Sequence, residues 1–269
     1  MLKSNLFRLF LLNSLLLSVV PGQLHAAFET PEPNPIAFAL ANLASFPPEL
    51  ILSSTVPARL CLSVGGARLY GMPEIQPFCF RVGLRSLGGW AGFRGGGLSS
   101  GAYREMAAAV AYERLFPESL TVQVELEILQ VAIEQYDHAW SQQLNARLQW
   151  APNRTFALSA MAVNLTGASF GQGGYPLPRR IITGGRISPY RTLSFFIEMD
   201  QDVRYDISPR FGAAIGLLER ITLLAALQGD PNFISFGLSG LIGSVRATLA
   251  YQYHPDLGFS QCYGLAVAF

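Results

Sequence analysis

Phe259-Ser260-Gln261-Cys262-Tyr263-Gly264-Leu265-Ala266-Val267-Ala268-Phe269, the end of the chain, decides the fold. Its odd positions carry Phe259, Gln261, Tyr263, Leu265, Val267 and Phe269; its even positions carry Ser260, Cys262, Gly264, Ala266 and Ala268. Large and small residues thus alternate with a period of two, the period at which a strand turns successive side chains to opposite faces. The large face is apolar except for Gln261, so this is a strand with two unlike sides.

The same period recurs upstream. In 120–128 the even positions are Leu120, Val122, Val124, Leu126 and Ile128, while the odd ones are Thr121, Gln123, Glu125 and Glu127. One face suits lipid and the other suits water. Segments 78–85 and 143–150 alternate as cleanly, and 193–200, 210–217 and 245–253 less so. Composition points the same way: the 269 residues are 50% hydrophobic and only 14% charged, against roughly 25% charged in a soluble domain. After the N-terminus no apolar run reaches the ~18 to 20 residues of a spanning helix. Apolar surface without spanning helices predicts an all-β, transmembrane antiparallel β-barrel. A soluble exported β-sandwich, which alternates too, is the alternative. A net charge of +1 leaves no basic footprint for nucleic acid.

Residues 1–26 read as a secretory signal peptide: Lys3 and Arg8, an apolar core over 9–20, then Pro21-Gly22 and a cut near Ala26. Residues 27–48 read as a periplasmic lead or a plug in the barrel mouth, with a short helix over 36–46 stopped by Pro47-Pro48. The barrel is expected over 49–269. Three cysteines, Cys61, Cys79 and Cys262, are no disulfide framework; Cys61 pairing with Cys79, or free thiols against the wall, are the two readings.

A transmembrane strand needs ~9 to 11 residues, and bacterial barrels carry an even strand count. About fourteen strands (12–14) fit that rule, beginning near 50, 78, 88, 103, 119, 141, 155, 180, 192, 207, 221, 233, 245 and 259. With the C-terminus periplasmic, short turns fall at 86–87, 116–119, 151–154, 188–191, 218–220 and 242–244. Longer outer loops then fall near 63–77, 96–102, 132–140, 167–178, 201–206, 229–232 and 254–258. Segments 103–116 and 213–227 hold helix formers but are kept as strands because their neighbours alternate.

Asn34-Pro35 and Ala41-Asn42-Leu43-Ala44-Ser45, with Asp230-Pro231-Asn232-Phe233-Ile234-Ser235-Phe236-Gly237-Leu238 and the 251–260 stretch running into Phe269, carry a family resemblance. The chain resembles PorV/PorQ-type outer-membrane proteins, relatives of the FadL transporters. The resemblance implies a fourteen-stranded barrel in the bacterial outer membrane, non-enzymatic, either an accessory barrel of type IX-like protein secretion or a conduit for hydrophobic small molecules. It also implies that the aromatic C-terminal strand, ending in Phe269, is the insertion signal read by barrel insertion machinery. The partners so implied are outer-membrane lipid, that machinery, and a secretion-complex partner or a hydrophobic solute.

The water-facing positions of the strands hold Arg81, Arg85, Glu125, Glu127, Arg147, Glu198, Asp200, Arg210 and Arg246. Such a lumen selects a solute or simply fills a polar wall with paired charges. No catalytic, cofactor or metal site is expected: Asp137-His138 with Ser141, and His254 with Asp256, lack the geometry that adjacency in sequence cannot supply, and two distant histidines lack ligand spacing. Trp90, Trp150, Tyr190, Tyr251 and Tyr253 fall near strand ends, where aromatic rings favour the membrane interface. Two functions compete. A continuous path, or a lateral opening, favours a conduit; a plugged interior with a broad apolar loop surface favours a scaffold.

Overall fold

The structure is a computed structural model that describes residues 32–46, 59–86, 88–136, 138–170, 174–229 and 231–269. The expected signal peptide, residues 27–31 and 47–58, and Asp137 lie outside the described residues.

Fourteen strands form the wall: β1 (Leu60–Arg68), β2 (Phe78–Ser86), β3 (Gly89–Ser100), β4 (Tyr103–Phe116), β5 (Leu120–Ile133), β6 (His138–Trp150), β7 (Phe156–Val163), β10 (Arg180–Tyr190), β11 (Leu193–Asp202), β12 (Ser208–Leu218), β13 (Ile221–Gln228), β14 (Phe233–Ile242), β15 (Val245–His254) and β16 (Gly258–Ala268). A two-stranded ribbon, β8 (Ser169–Phe170) and β9 (Tyr175–Pro176), sits in the connection between β7 and β10. Every wall strand is antiparallel to its neighbours, and β1 pairs with β16, Val64 opposite Leu265, to close the barrel. Closure removes sheet edges, which a chain in lipid must do because no water is there to satisfy them.

Cross-strand register shows which face is which. Val64 lies opposite Phe80, and Ser63 opposite Arg81, which in turn faces Arg94, Ala109, Glu127 and Gln143 across successive strands. The first set points out and the second points in. Val64 is 55% exposed and Leu238 50%, whereas Glu198 is 0% exposed. Greasy residues outside and charged residues inside is the reverse of a soluble core, and it identifies a transmembrane barrel. Segments 103–116 and 213–227, despite their helix formers, are β4 and the β12–β13 hairpin.

Tight turns such as 191–192, 219–220 and 243–244 share the end of the barrel with the C-terminus, called the turn end below. The opposite, loop end has longer connections over 69–77, 164–179 and 203–207. Three boundaries differ from the sequence pattern. Strand β1 lies at 60–68, where a loop from 63 was expected, because Gly65-Gly66 flatten its alternation. Strand β3 continues to Ser100, so the expected 96–102 loop shrinks to Gly101-Ala102. The lead helix is only α1 (Pro35–Ala39), ended by Ala41 and Asn42 at φ 54° and 59° before any proline is reached.

Candidate functional site: a plugged lumen

Residues 32–46 lie inside the barrel. Helix α1 starts where the Asn34 carboxamide oxygen accepts the N–H groups of Ile36 (3.0 Å) and Ala37 (3.3 Å), with Pro35 at the first helical position. Ile36, Phe38, Leu40, Leu43 and Phe46 are all buried against the wall. Room for them comes from small inward residues on one side of the barrel, among them Gly65, Gly184, Gly212, Ala214, Ala226, Gly237 and Ala250. A Cβ on Gly237 would stand 2.5 Å from the Cβ of Ala39, and one on Gly65 2.5 Å from the carbonyl oxygen of Pro33. These wall positions are small because a second chain segment lies on them.

Two charge clusters hold the segment. At its far end the Glu198 carboxylate accepts the N–H groups of Ala44 (3.0 Å) and Ser45 (2.7 Å). Arg210 donates to Glu198 (2.8 Å), Asp200 (2.7 Å) and the Asn42 carbonyl (3.1 Å), and Arg180 pairs with Asp200 from the other side. The hydroxyl of Ser159 donates to the Ser45 carbonyl at 2.6 Å. Buried ions persist only when paired this completely. At its near end the Arg81 guanidinium forks onto Glu32 (2.8 and 2.5 Å), with Arg94 3.8 Å away. Arg94 is held from behind by Glu125 (2.9 Å) and Glu127 (2.7 Å), which also accept from Gln143 and Asn145. Burial pushes the Glu32 carboxyl up, but the charge and hydrogen bonds of Arg81, with Arg94 beyond, outweigh it and hold the pKa at about 2.

Between these anchors the Cys79 and Cys262 thiols both donate to the Pro33 carbonyl oxygen (3.5 and 3.4 Å). Cys61, Cys79 and Cys262 form no disulfide. The Cys61–Cys79 pairing does not form, because register sets Cys61 opposite Gly83 and Cys79 opposite Gly65.

All nine charged residues expected inside occupy inward register, but not one site. Glu125 and Glu127 join through Arg94; Glu198, Asp200 and Arg210 form the far anchor; Arg81 holds Glu32. Arg147 and Arg246 lie inward nearer the turn end, Arg246 within 3.4 Å of the Ser239 hydroxyl, and Arg85 is exposed at that rim. Arg147 lines a cavity of about 20 Å³ with Gln123, Glu125, Asn145 and Met161, about one water in size. The pattern missed Arg94, Arg180 and Glu32. Arg94 has the inward phase of Trp90 and Gly92, hidden by the glycines around it. Trp90 itself faces the lumen opposite Arg85 and Glu113, not the membrane interface, because the phase of β3 places it there. Phe269 is 63% exposed, its backbone tied to Leu60 at 2.9 Å.

The loop end is partly capped. Asn164, at φ 57°, bonds Ala168 and Leu177 and folds the 164–179 connection so that Phe170 and Leu177 pack on Leu129. Here the wall is stepped: β6 pairs with β5 along its full length but with β7 only over Ala146–Trp150. Ser141 donates to the Ser169 carbonyl, on the face of β6 opposite to His138, and His254 Nδ1 accepts the N–H groups of Asp256 and Leu257. No cluster of metal-ligating side chains occurs among the described residues.

A closed greasy-outside wall around a separate apolar segment defines the class: a plugged transmembrane β-barrel. No family profile matches the chain, and no curated protein does. Among solved structures it is similar to the toluene transporter TodX of Pseudomonas putida, at 10% identity and a TM-score of 0.64 over 87% of this chain and 98% of that one. A second TodX structure gives 0.62 at 10% identity over 90% and 98%, and a TodX deltaS2S3 mutant, described as a monoaromatic hydrocarbon channel, 0.60 at 10% over 87% and 98%. At such identity the likeness is one of fold.

Proposed function

We propose that this protein is a non-enzymatic outer-membrane conduit for small apolar molecules. One observation carries the reading. A barrel much wider than about eight strands is not filled by its own side chains, and here the wall keeps small residues where a separate apolar segment, 32–46, lies. With the segment moved aside, the surface that accepts Phe38, Leu40 and Leu43 is an apolar track through the wall's interior. The transport names of the TodX structures agree with a FadL-like conduit rather than with the PorV-like secretion role.

The plugged state is the observation that favours the second reading, an accessory barrel offering exposed loop-end aromatics such as Tyr136, Trp140 and Tyr175 to a secreted partner. The two separate in one experiment. Cells of a heterologous Gram-negative host carrying the barrel without residues 32–46 should take up a fluorescent apolar probe faster than cells carrying the intact chain, with the barrel still heat-modifiable in detergent. Equal uptake by both and by empty cells sinks the conduit.

A further inference from the structure

We propose that Arg81 and Arg94 form a seat for a carboxylate-like oxyanion, that Glu32 is its resident ligand, and that an incoming anionic group taking the seat frees the near end of the plug. This deepens the conduit reading, because it needs a plug that moves.

The two anchors of the plug differ in kind. At the far end Glu198 belongs to the wall, is fully buried, and accepts the backbone N–H groups of Ala44 and Ser45. At the near end the carboxylate belongs to the plug and the cations belong to the wall. Arg81 and Glu32 side chains are each 27% exposed, so this contact is reachable where the other is sealed. The Arg81 fork, 2.8 and 2.5 Å to the two carboxylate oxygens, matches the shape of a carboxylate and not the residue that bears it.

The seat outlasts its occupant. Arg94 is oriented by Glu125 and Glu127 and reaches Glu32 only at 3.8 Å, so it stays in place when Glu32 leaves. Among the described residues, what then faces the lumen there is two arginines against two glutamates. One carboxylate restores the resting balance, which selects a monoanion. Release is coupled to something measurable, because the residue after Glu32 is Pro33, whose carbonyl covers both the Cys79 and Cys262 thiols.

The test uses the full mature chain in detergent with Cys61→Ser, so that only Cys79 and Cys262 remain, labelled with N-ethylmaleimide and read by mass spectrometry. Labelling should be slow, and should quicken about tenfold with acetate or benzoate, the scale of a charge-assisted hydrogen bond, but not with benzyl alcohol. Acetate acting alone locates recognition in the bare oxyanion; benzoate acting where acetate does not adds the apolar body, an anionic head on a greasy solute. Glu32→Gln should label fast without any anion, and Arg81→Gln should lose the anion effect, both in barrels that still migrate as folded. The proposal is overturned if no carboxylate changes the rate, if benzyl alcohol matches benzoate, or if Glu32→Gln labels as slowly as its parent. Thiol access needs no transport, so faster uptake through the plug-deleted barrel with no anion effect on labelling would sink this inference alone.

Discussion

The charge cluster around Arg210 and the one around Arg94 look alike on paper, each an arginine between two wall carboxylates, yet they sit in opposite surroundings. The first lies beneath the plug, with Glu198 bonded to plug backbone and Arg210 to the Asn42 carbonyl. The second is satisfied mostly by its own wall, through Gln143 and Asn145, and touches the plug only at the margin of Glu32. Identical alternation along the strands therefore builds two inner surfaces. One is a socket made by glycine and alanine and sealed by ions; the other is a polar face that stands by itself.

The difference can be broken from the socket side first. Glu198→Ala takes from Arg210 one of its two carboxylate partners in a dry site and leaves two plug N–H groups unsatisfied, an expected loss of about 3–5 kcal/mol, read as a fall in the urea or heat midpoint of the gel-shifted form. Phe38→Ala, in the apolar stretch between the anchors, empties a fully buried site and should cost about 3 kcal/mol of plug docking, read as faster labelling of Cys262. Acid probes the near anchor. The Glu32 pKa is lowered from 4.5 to about 2, so its contribution is complete above the ordinary carboxylate range and is lost as pH falls through about 2; labelling divided by that of the denatured chain at the same pH, which removes the thiolate's own pH dependence, should already be higher at pH 3 than at pH 6. The smallest effect is expected at the polar face: Glu125→Gln leaves Arg94 with Glu127 and should change stability by about 1 kcal/mol, with plug docking unmoved. A loss there as large as that of Glu198→Ala would erase the contrast.

Much of the wall was legible in the sequence because period two is a local property. The strand starts near 78, 103, 180, 221, 233 and 245 coincide with β2, β4, β10, β13, β14 and β15, since a lipid face and a water face must alternate along each strand. The inward phase of Glu125, Glu127, Glu198 and Arg210 followed from the same rule. It failed where side chains vanish: Gly65-Gly66 blurred β1, and Gly92, Gly95, Gly96 and Gly97 hid both the length of β3 and the phase of Arg94. The plug's anchors were illegible for another reason. Segment 32–46 has no period to set its position, and its meeting with residues more than a hundred positions away, such as Ser45 with Glu198, depends on the closed wall.

The seam between β1 and β16 imposes an order on assembly. Leu62 and Val267 must find each other across almost the entire polypeptide, the slowest kind of encounter for a chain. Until that seam is drawn, the socket, which takes Gly65 from β1 and Gly264 from β16 against Pro33 and Pro35, has no completed shape, so residues 32–46 settle after it. Assembly on that order passes through a hollow cylinder before a stoppered one.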